Sequence, residues 1–262
     1  MDLGIDGRRA LVVGASEGIG RATAEELLRE GARVAIAARD GSKLTAAAAA
    51  MAAATGRSTP QTWSCDVTKA ADVSGLAQRI GGDPLDILVI AVGASRRADF
   101  ETLTDADWYA NYELNLLGSV RVTRDLLPAL RRSPAPTVVL VGAAGAKQPY
   151  AHQVVSNVHK AGLLALTKTL AAEYASAGIR VNSVCPGRTM TALWRNRLAD
   201  MSRADGRSED EIRAEFVSEI PLGRFGEPHE IAAMIVFLSS SRASYITGQS
   251  ISVDGGITRG LL

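Results

Sequence analysis

The sequence predicts a single doubly wound α/β domain, a parallel sheet with helices on both faces. Three observations carry that expectation. Short aliphatic runs alternate with longer stretches of helical periodicity, the order expected when each strand leads into a crossover helix. The runs are apolar on both sides, as in Leu85-Asp86-Ile87-Leu88-Val89-Ile90, a pattern that belongs in a sheet centre covered above and below. The 262 residues are 47% hydrophobic and 22% charged, which suits one large globular domain and excludes a largely disordered chain.

Strands are expected at 10–13, 34–37, 87–90, 137–141 and 181–184. After the first comes Gly14-Ala15-Ser16-Glu17-Gly18-Ile19-Gly20, followed by a helical 21–30. Glycines here allow a tight turn and let the backbone approach a pyrophosphate, whose charge the helix N-terminus faces. An ordinary strand-to-helix turn is the alternative. The second strand ends in Ala38 and Arg39. An acidic side chain at such a strand end bonds the ribose 2′-hydroxyl of NAD, whereas an arginine accommodates the 2′-phosphate of NADP. Asp40 reads instead as the cap of a helix over 42–55, whose alanine-rich 46–54 is expected to be a plain surface helix. Between 188 and 221 charged residues surround Leu193, Trp194, Leu198, Met201, Ile212 and Phe216. Their irregular helical spacing predicts a mobile helical lid over a substrate.

The 29 basic and 28 acidic residues leave a net charge of +1, no field to recruit nucleic acid or a membrane surface. No CxxC…H pattern implies a metal, and Cys65 and Cys185, each in an apolar run, read as buried thiols. No apolar stretch approaches the roughly 20 residues that span a bilayer, and the acidic start Met1-Asp2-Leu3 lacks a secretory pattern. A cytoplasmic protein is expected.

The order G-x-x-x-G-I-G, Asp66-Val67, Asn115 in Glu113-Leu114-Asn115-Leu116, Lys160, Pro186-Gly187-Arg188-Thr189-Met190-Thr191, and the ending Val253-Asp254-Gly255-Gly256 resembles the short-chain dehydrogenase/reductase family over nearly the whole chain. The resemblance implies a Rossmann-like fold and an NADP(H) cofactor held by Gly14, Ser16, Glu17, Gly18, Ile19, Gly20, Arg39, Asp66, Val67, Gly93, Lys160, Pro186, Gly187, Thr189 and Thr191. Against the family pattern Asp40 lies two residues too late to be the ribose acid. Glu17 dissents, since resembling NADP enzymes often carry a basic residue there. The resemblance also implies a homodimer or homotetramer through helices at 107–130 and 154–175, for which Val158, Leu163, Leu164 and Leu166 offer an apolar stripe.

The family's chemistry rests on a Tyr four residues before the Lys, an upstream Ser and the Asn. Here Ser156 stands at the tyrosine position, Ala143 at the serine position, and Ile90-Ala91-Val92-Gly93 replaces N-N-A-G. A serine hydroxyl is shorter and far less acidic than a phenol of pKa about 10, so Ser156 is expected to hold a water rather than donate directly. His152 completes a stripe with Ser156 and Lys160 if the helix begins that early; otherwise it sits in solvent. Tyr150 is either a packed loop aromatic or swings inward, and His159 points about 100° away from Lys160. The implied activity is an NADP(H)-dependent reduction of a small or acyl/polyketide-type carbonyl, with catalysis by Lys160, Asn115, Ser156 and His152. The alternatives are a non-redox epimerase, dehydratase or lyase with retained cofactor, and a non-catalytic nucleotide-binding protein. Arg96, Arg97, Arg188, Arg195 and Arg197 either bind a carboxylate or carrier phosphate or form a solvated face.

Overall fold

The computed structural model describes residues 1–260. Seven strands, β1 Arg9–Val13, β2 Arg33–Ala38, β3 Gln61–Ser64, β4 Ile87–Ile90, β5 Thr137–Val141, β6 Arg180–Pro186 and β7 Ser250–Val253, form one sheet in the order β3-β2-β1-β4-β5-β6-β7. Every neighbouring pair is parallel. The chain winds outward from β1 to β3, then returns to place β4 beside β1. That reversal opens a crevice beyond the carboxyl ends of β1 and β4, where ligands bind in open α/β sheets.

Side-chain alternation sorts the core into two layers. Val12, Ile36 and Val89 face α1 (Gly18–Arg29), α2 (Gly41–Thr55) and α9 (Pro228–Ser239), with Leu27, Leu44, Met51 and Ile235 filling the layer. Leu11, Leu88 and Leu140 face α3 (Ala70–Ile80), α5 (Gly118–Leu130) and α6 (Val154–Glu173), meeting Leu76, Leu126 and Leu163. The second element is less superficial than expected: Ala47, Ala48 and Met51 of α2 are buried, because alanines can form a close-packed face without showing a hydrophobic stripe.

α4 (Asp105–Tyr112) runs into α5 through a single wide π turn at Glu113–Leu117, which carries the buried Asn115. Such turns recur at functional sites. Over 192–218 the chain forms two helices, α7 (Ala192–Asp205) and α8 (Glu209–Ser218). They bury Trp194, Leu198, Ile212 and Phe216 in a third cluster with Phe225 and Ile257. Trp194 meets Phe216 and Phe225 edge-on, each at 5.0 Å. Among the described residues, no helix is long and apolar enough to cross a membrane.

Candidate active site

The glycine loop after β1 is packed so closely that only hydrogen fits at two positions. A Cβ at Gly14, where φ is +88°, would lie 2.7 Å from the Ala91 carbonyl oxygen. One at Gly20 would lie 2.2 Å from the Gly14 oxygen. α1 begins at Gly18, earlier than expected, so the last glycines form its first turn. Glu17 occupies the cap without a side-chain hydrogen bond, which leaves the first-turn amides turned toward the crevice. Ser16 lies in the same loop. This cradle fits the pyrophosphate of a dinucleotide.

Farther along the crevice the exposed Arg39 directly follows β2, with no carboxylate within ion-pair distance among the described residues. Asp40 is occupied: its Oδ1 accepts from the Ser42 and Lys43 amides, each at 3.0 Å, and from the Ser42 hydroxyl. Those bonds hold its carboxyl below the usual range. Asp66 Oδ1 accepts from the Thr68 hydroxyl at 2.8 Å and the Thr68 amide at 3.1 Å. Burial pushes that carboxyl up, but Thr68, Arg39 and Lys69 together bring it below its ordinary value. Val67 lies against Gly118, where a Cβ would come within 2.7 Å of its methyl group.

At the carboxyl ends of β4, β5 and β6 lies a cavity of about 450 Å³. Ile19, Gly93, Asn115, Ser156, Lys160, Pro186, Gly187, Thr189 and Thr191 line it. The remaining candidates, Gly14, Ser16, Glu17, Gly18, Gly20, Arg39, Asp66 and Val67, lie outside it on the nucleotide side. Thr191 joins the two halves, since its methyl group would sit 3.3 Å from a Cβ at Gly18. Thr191 is also the residue from which α7 springs.

Lys160 is buried at the cavity floor, where Nζ donates to the Val141 carbonyl at 2.8 Å and the Val92 carbonyl at 3.2 Å. Two of its three N–H groups are thereby used. Burial pushes the amine down to about 8, with Cys185 acting weakly the other way. Asn115 clamps the peptide of Ala94 from both sides, accepting from its amide at 3.2 Å and donating to its carbonyl at 3.0 Å. Ser156 Oγ donates to the same carbonyl at 3.4 Å. Gly93 explains itself in this company: a Cβ there would lie 2.7 Å from Asn115 Oδ1 and 3.0 Å from Lys160 Nζ.

His152 is not part of this constellation. α6 starts only at Val154, and His152 takes φ +60° in the preceding turn. Its Nδ1 lies 2.7 Å from Asp99 Oδ1 on the outer surface. The backbone break and that pairing turn the imidazole away from the Ser156–Lys160 stripe. Tyr150 does line the cavity; its ring lies over Gly145, and its hydroxyl is buried without a hydrogen-bond partner. Burial pushes the phenol up, opposed by Arg188. His159 packs away from the site, 2.8 Å from Asn111 Oδ1 and edge-on to Trp108.

The sequence reading missed Ser95, Gln153 and Asn157 among the lining residues. Ser95 Oγ donates to Gln153 Oε1 at 2.8 Å, and Asn157 Nδ2 to the Tyr150 carbonyl at 2.8 Å. A signal existed: Gln153, Asn157 and Lys160 recur at helical spacing on one face. Of the arginines, Arg96 is ion-paired to Asp107 and Arg195 is exposed, donating to the Met190 carbonyl at 3.3 Å. Arg97, Arg188 and Arg197 face the cavity.

Residues 14–258 match a family profile described as enoyl-(acyl carrier protein) reductase. The chain is 34% identical over 258 residues to the 3-oxoacyl-(acyl-carrier-protein) reductase FabG of Vibrio harveyi, covering 97% of this chain and 99% of that one. It superposes at TM-score 0.95 on the L-sorbose reductase of Gluconobacter frateurii solved with NADPH and L-sorbose, at 31% identity over the full length of both. An actinorhodin polyketide ketoreductase variant solved with NADPH gives TM-score 0.89 at 31% identity, covering 98% of this chain and 99% of that one.

Proposed function

The chain belongs to the short-chain dehydrogenase/reductase family, and we propose that it is an NADP(H)-dependent, ketoreductase-like oxidoreductase whose proton donor is not a phenol. The observation that carries the reading is Lys160, a buried amine on the cavity floor with one N–H left over and Ser156 one turn before it. A protein that merely bound a nucleotide would gain nothing from burying an amine there at the expense of its solvation. In this reading Ser156 occupies the family's tyrosine position and Ala143 its serine position.

When bound, the cofactor supplies a hydride to the carbonyl carbon. The amides at the start of α1 hold its pyrophosphate, and Arg39, without an acidic partner of its own, takes the 2′-phosphate. Asn115 fixes the Ala94 peptide, and with it the backbone that packs against Lys160. The charge of Lys160 holds the ribose side, while its remaining N–H feeds a water kept by Ser156 Oγ. That water protonates the substrate oxygen. Replacing a positioned phenol by such a relay costs part of the typical 10²–10⁴-fold of general-acid catalysis, not the hydride chemistry itself.

The lack of a hydroxyl at Ala143 and of a phenol at Ser156 favours one second reading, a non-redox epimerase, dehydratase or lyase with retained cofactor. The deciding experiment is a fluorescence titration with NADPH followed by a carbonyl panel read as loss of NADPH absorbance. Tight NADPH binding with turnover supports the oxidoreductase. Binding without hydride transfer to any carbonyl, and without label exchange from deuterated cofactor, overturns it. We also propose that the protein assembles as a homodimer or homotetramer through the α4–α5 and α6 surface.

A further inference from the structure

Three guanidinium groups reach the cavity from three separate elements: Arg97 follows β4, Arg188 follows β6, and Arg197 stands on α7. Arg188 is buried and satisfied. It meets Glu219 Oε2 at 2.6 Å, donates to the Phe216 carbonyl, and lies over the Phe216 ring at 4.7 Å. Arg197 is different. Its guanidinium stacks on Trp194 at 4.8 Å and, among the described residues, donates only to the Ser95 carbonyl, at a long 3.4 Å. Neither Arg97 nor Arg197 has a carboxylate within ion-pair distance among the described residues. Burial, and the like charges of Arg97 and Arg188, push the Arg197 group below its ordinary value. Glu215 also lines the wall, but its carboxylate pairs with Arg207 at 2.9 Å.

Holding the part-buried Arg197 guanidinium without a counter-ion is costly, the exposed Arg97 at the cavity rim adds a second positive charge beside it, and the forked guanidinium geometry matches an oxyanion. Tyr150 adds an independent sign of a missing partner, a hydroxyl buried at the same cavity with nothing to bond. We propose that the cavity selects carbonyl substrates bearing a carboxylate, which Arg97 and Arg197 bind at the lid side while the carbonyl faces Lys160. This rests on the oxidoreductase reading above. Glu215 and Glu219 on the same wall, although each is paired with an arginine, still disfavour a dianionic phosphate relative to a singly charged carboxylate.

The test uses protein loaded with NADP⁺, which cannot pass hydride to a ketone, titrated calorimetrically with a short oxo acid, its methyl ester and a ketone phosphate of equal length. The acid is expected to bind about 10- to 100-fold more tightly than the ester. Arg197→Gln should abolish that preference with ester and NADPH affinities retained, Arg97→Gln should reduce it, and Arg197→Lys should keep part of it. Equal binding of acid and ester by the wild type overturns the proposal, as does tighter binding of the phosphate. Parallel loss of acid and ester binding in Arg197→Gln also overturns it, since the arginine then serves only to pack Trp194. Because no hydride moves in this measurement, a failure of NADPH consumption bears on the oxidoreductase reading alone.

Discussion

Burial turns Lys160 from an ordinary lysine into an acid useful near neutrality. With the amine pushed down to about 8, it is protonated below that pH and neutral above it. Reduction consumes a proton, so its rate should be level below about pH 8 and fall as the pH rises through that value, while the reverse oxidation gains. Lys160→Arg should remove this limb from the kcat profile, and Lys160→Ala should damage NADPH binding and turnover together. His152→Ala should leave the profile unchanged, since its imidazole faces Asp99 outside the cavity. Ser156→Tyr places a phenol one turn from Lys160 and should raise carbonyl reduction, by up to about 10²-fold if the water relay is the weak step; a lower rate with unchanged NADPH affinity would count against the relay. Ser156 and Lys160 were legible in the sequence because they stand one helical turn apart on α6, and Asn115 because it falls in a motif of fixed order along the chain. His152 was misplaced for a non-local reason: the start of α6 depends on a turn held by Asp99, 53 residues away in sequence, and by the Ala98 amide donating to the His152 carbonyl at 2.9 Å.

Among the elements, the glycine loop is the most tightly specified. Gly20→Ala would drive a methyl group to 2.2 Å from the Gly14 oxygen, where backbone rather than a flexible side chain must yield. Overpacking of that kind should cost about 1–3 kcal/mol in urea-induced unfolding and weaken NADPH binding, with the rest of the sheet intact by circular dichroism. Arg39→Ala, at the neighbouring end of β2, should lower the NADPH/NADH affinity ratio by about 10- to 100-fold at low salt, and less as salt screens the exposed pair. An unchanged ratio would remove Arg39 from the 2′-phosphate site. The central strands were legible because both faces are buried and their composition is nearly all aliphatic. β3 is an edge strand, Gln61-Thr62-Trp63-Ser64, whose alternating exposure leaves no apolar run to detect. The burial of one side of α2 was illegible because alanine fills both its faces, so nothing in the pattern marks the one that packs.

On the scale of the whole molecule, the exposed apolar residues of α4 and α6 argue for association with copies of this chain. The expected stripe is divided by the fold: Leu163 is buried in the monomer core and Leu166 leans on it, whereas Val158 is 49% exposed. Tyr109 at 69% and Tyr112 at 37% exposure extend the outer face from the neighbouring helix, with His159 wedged between Trp108 and Tyr112. Clustered apolar side chains on a monomer surface mark a contact site more often than scattered ones do, and a two-fold axis across α4 and α6 would cover them by self-complementary packing. Light scattering at micromolar concentration should therefore give two or four times the 27.5 kDa chain mass. A Val158→Glu, Tyr109→Lys double variant should shift the mass toward one chain while preserving the helical circular-dichroism signal. Both substituted side chains lie outside the cavity, so NADPH affinity provides an internal control. A wild-type mass of one chain would leave these residues as ordinary exposed surface, and a double variant that stays oligomeric would move the interface to another face.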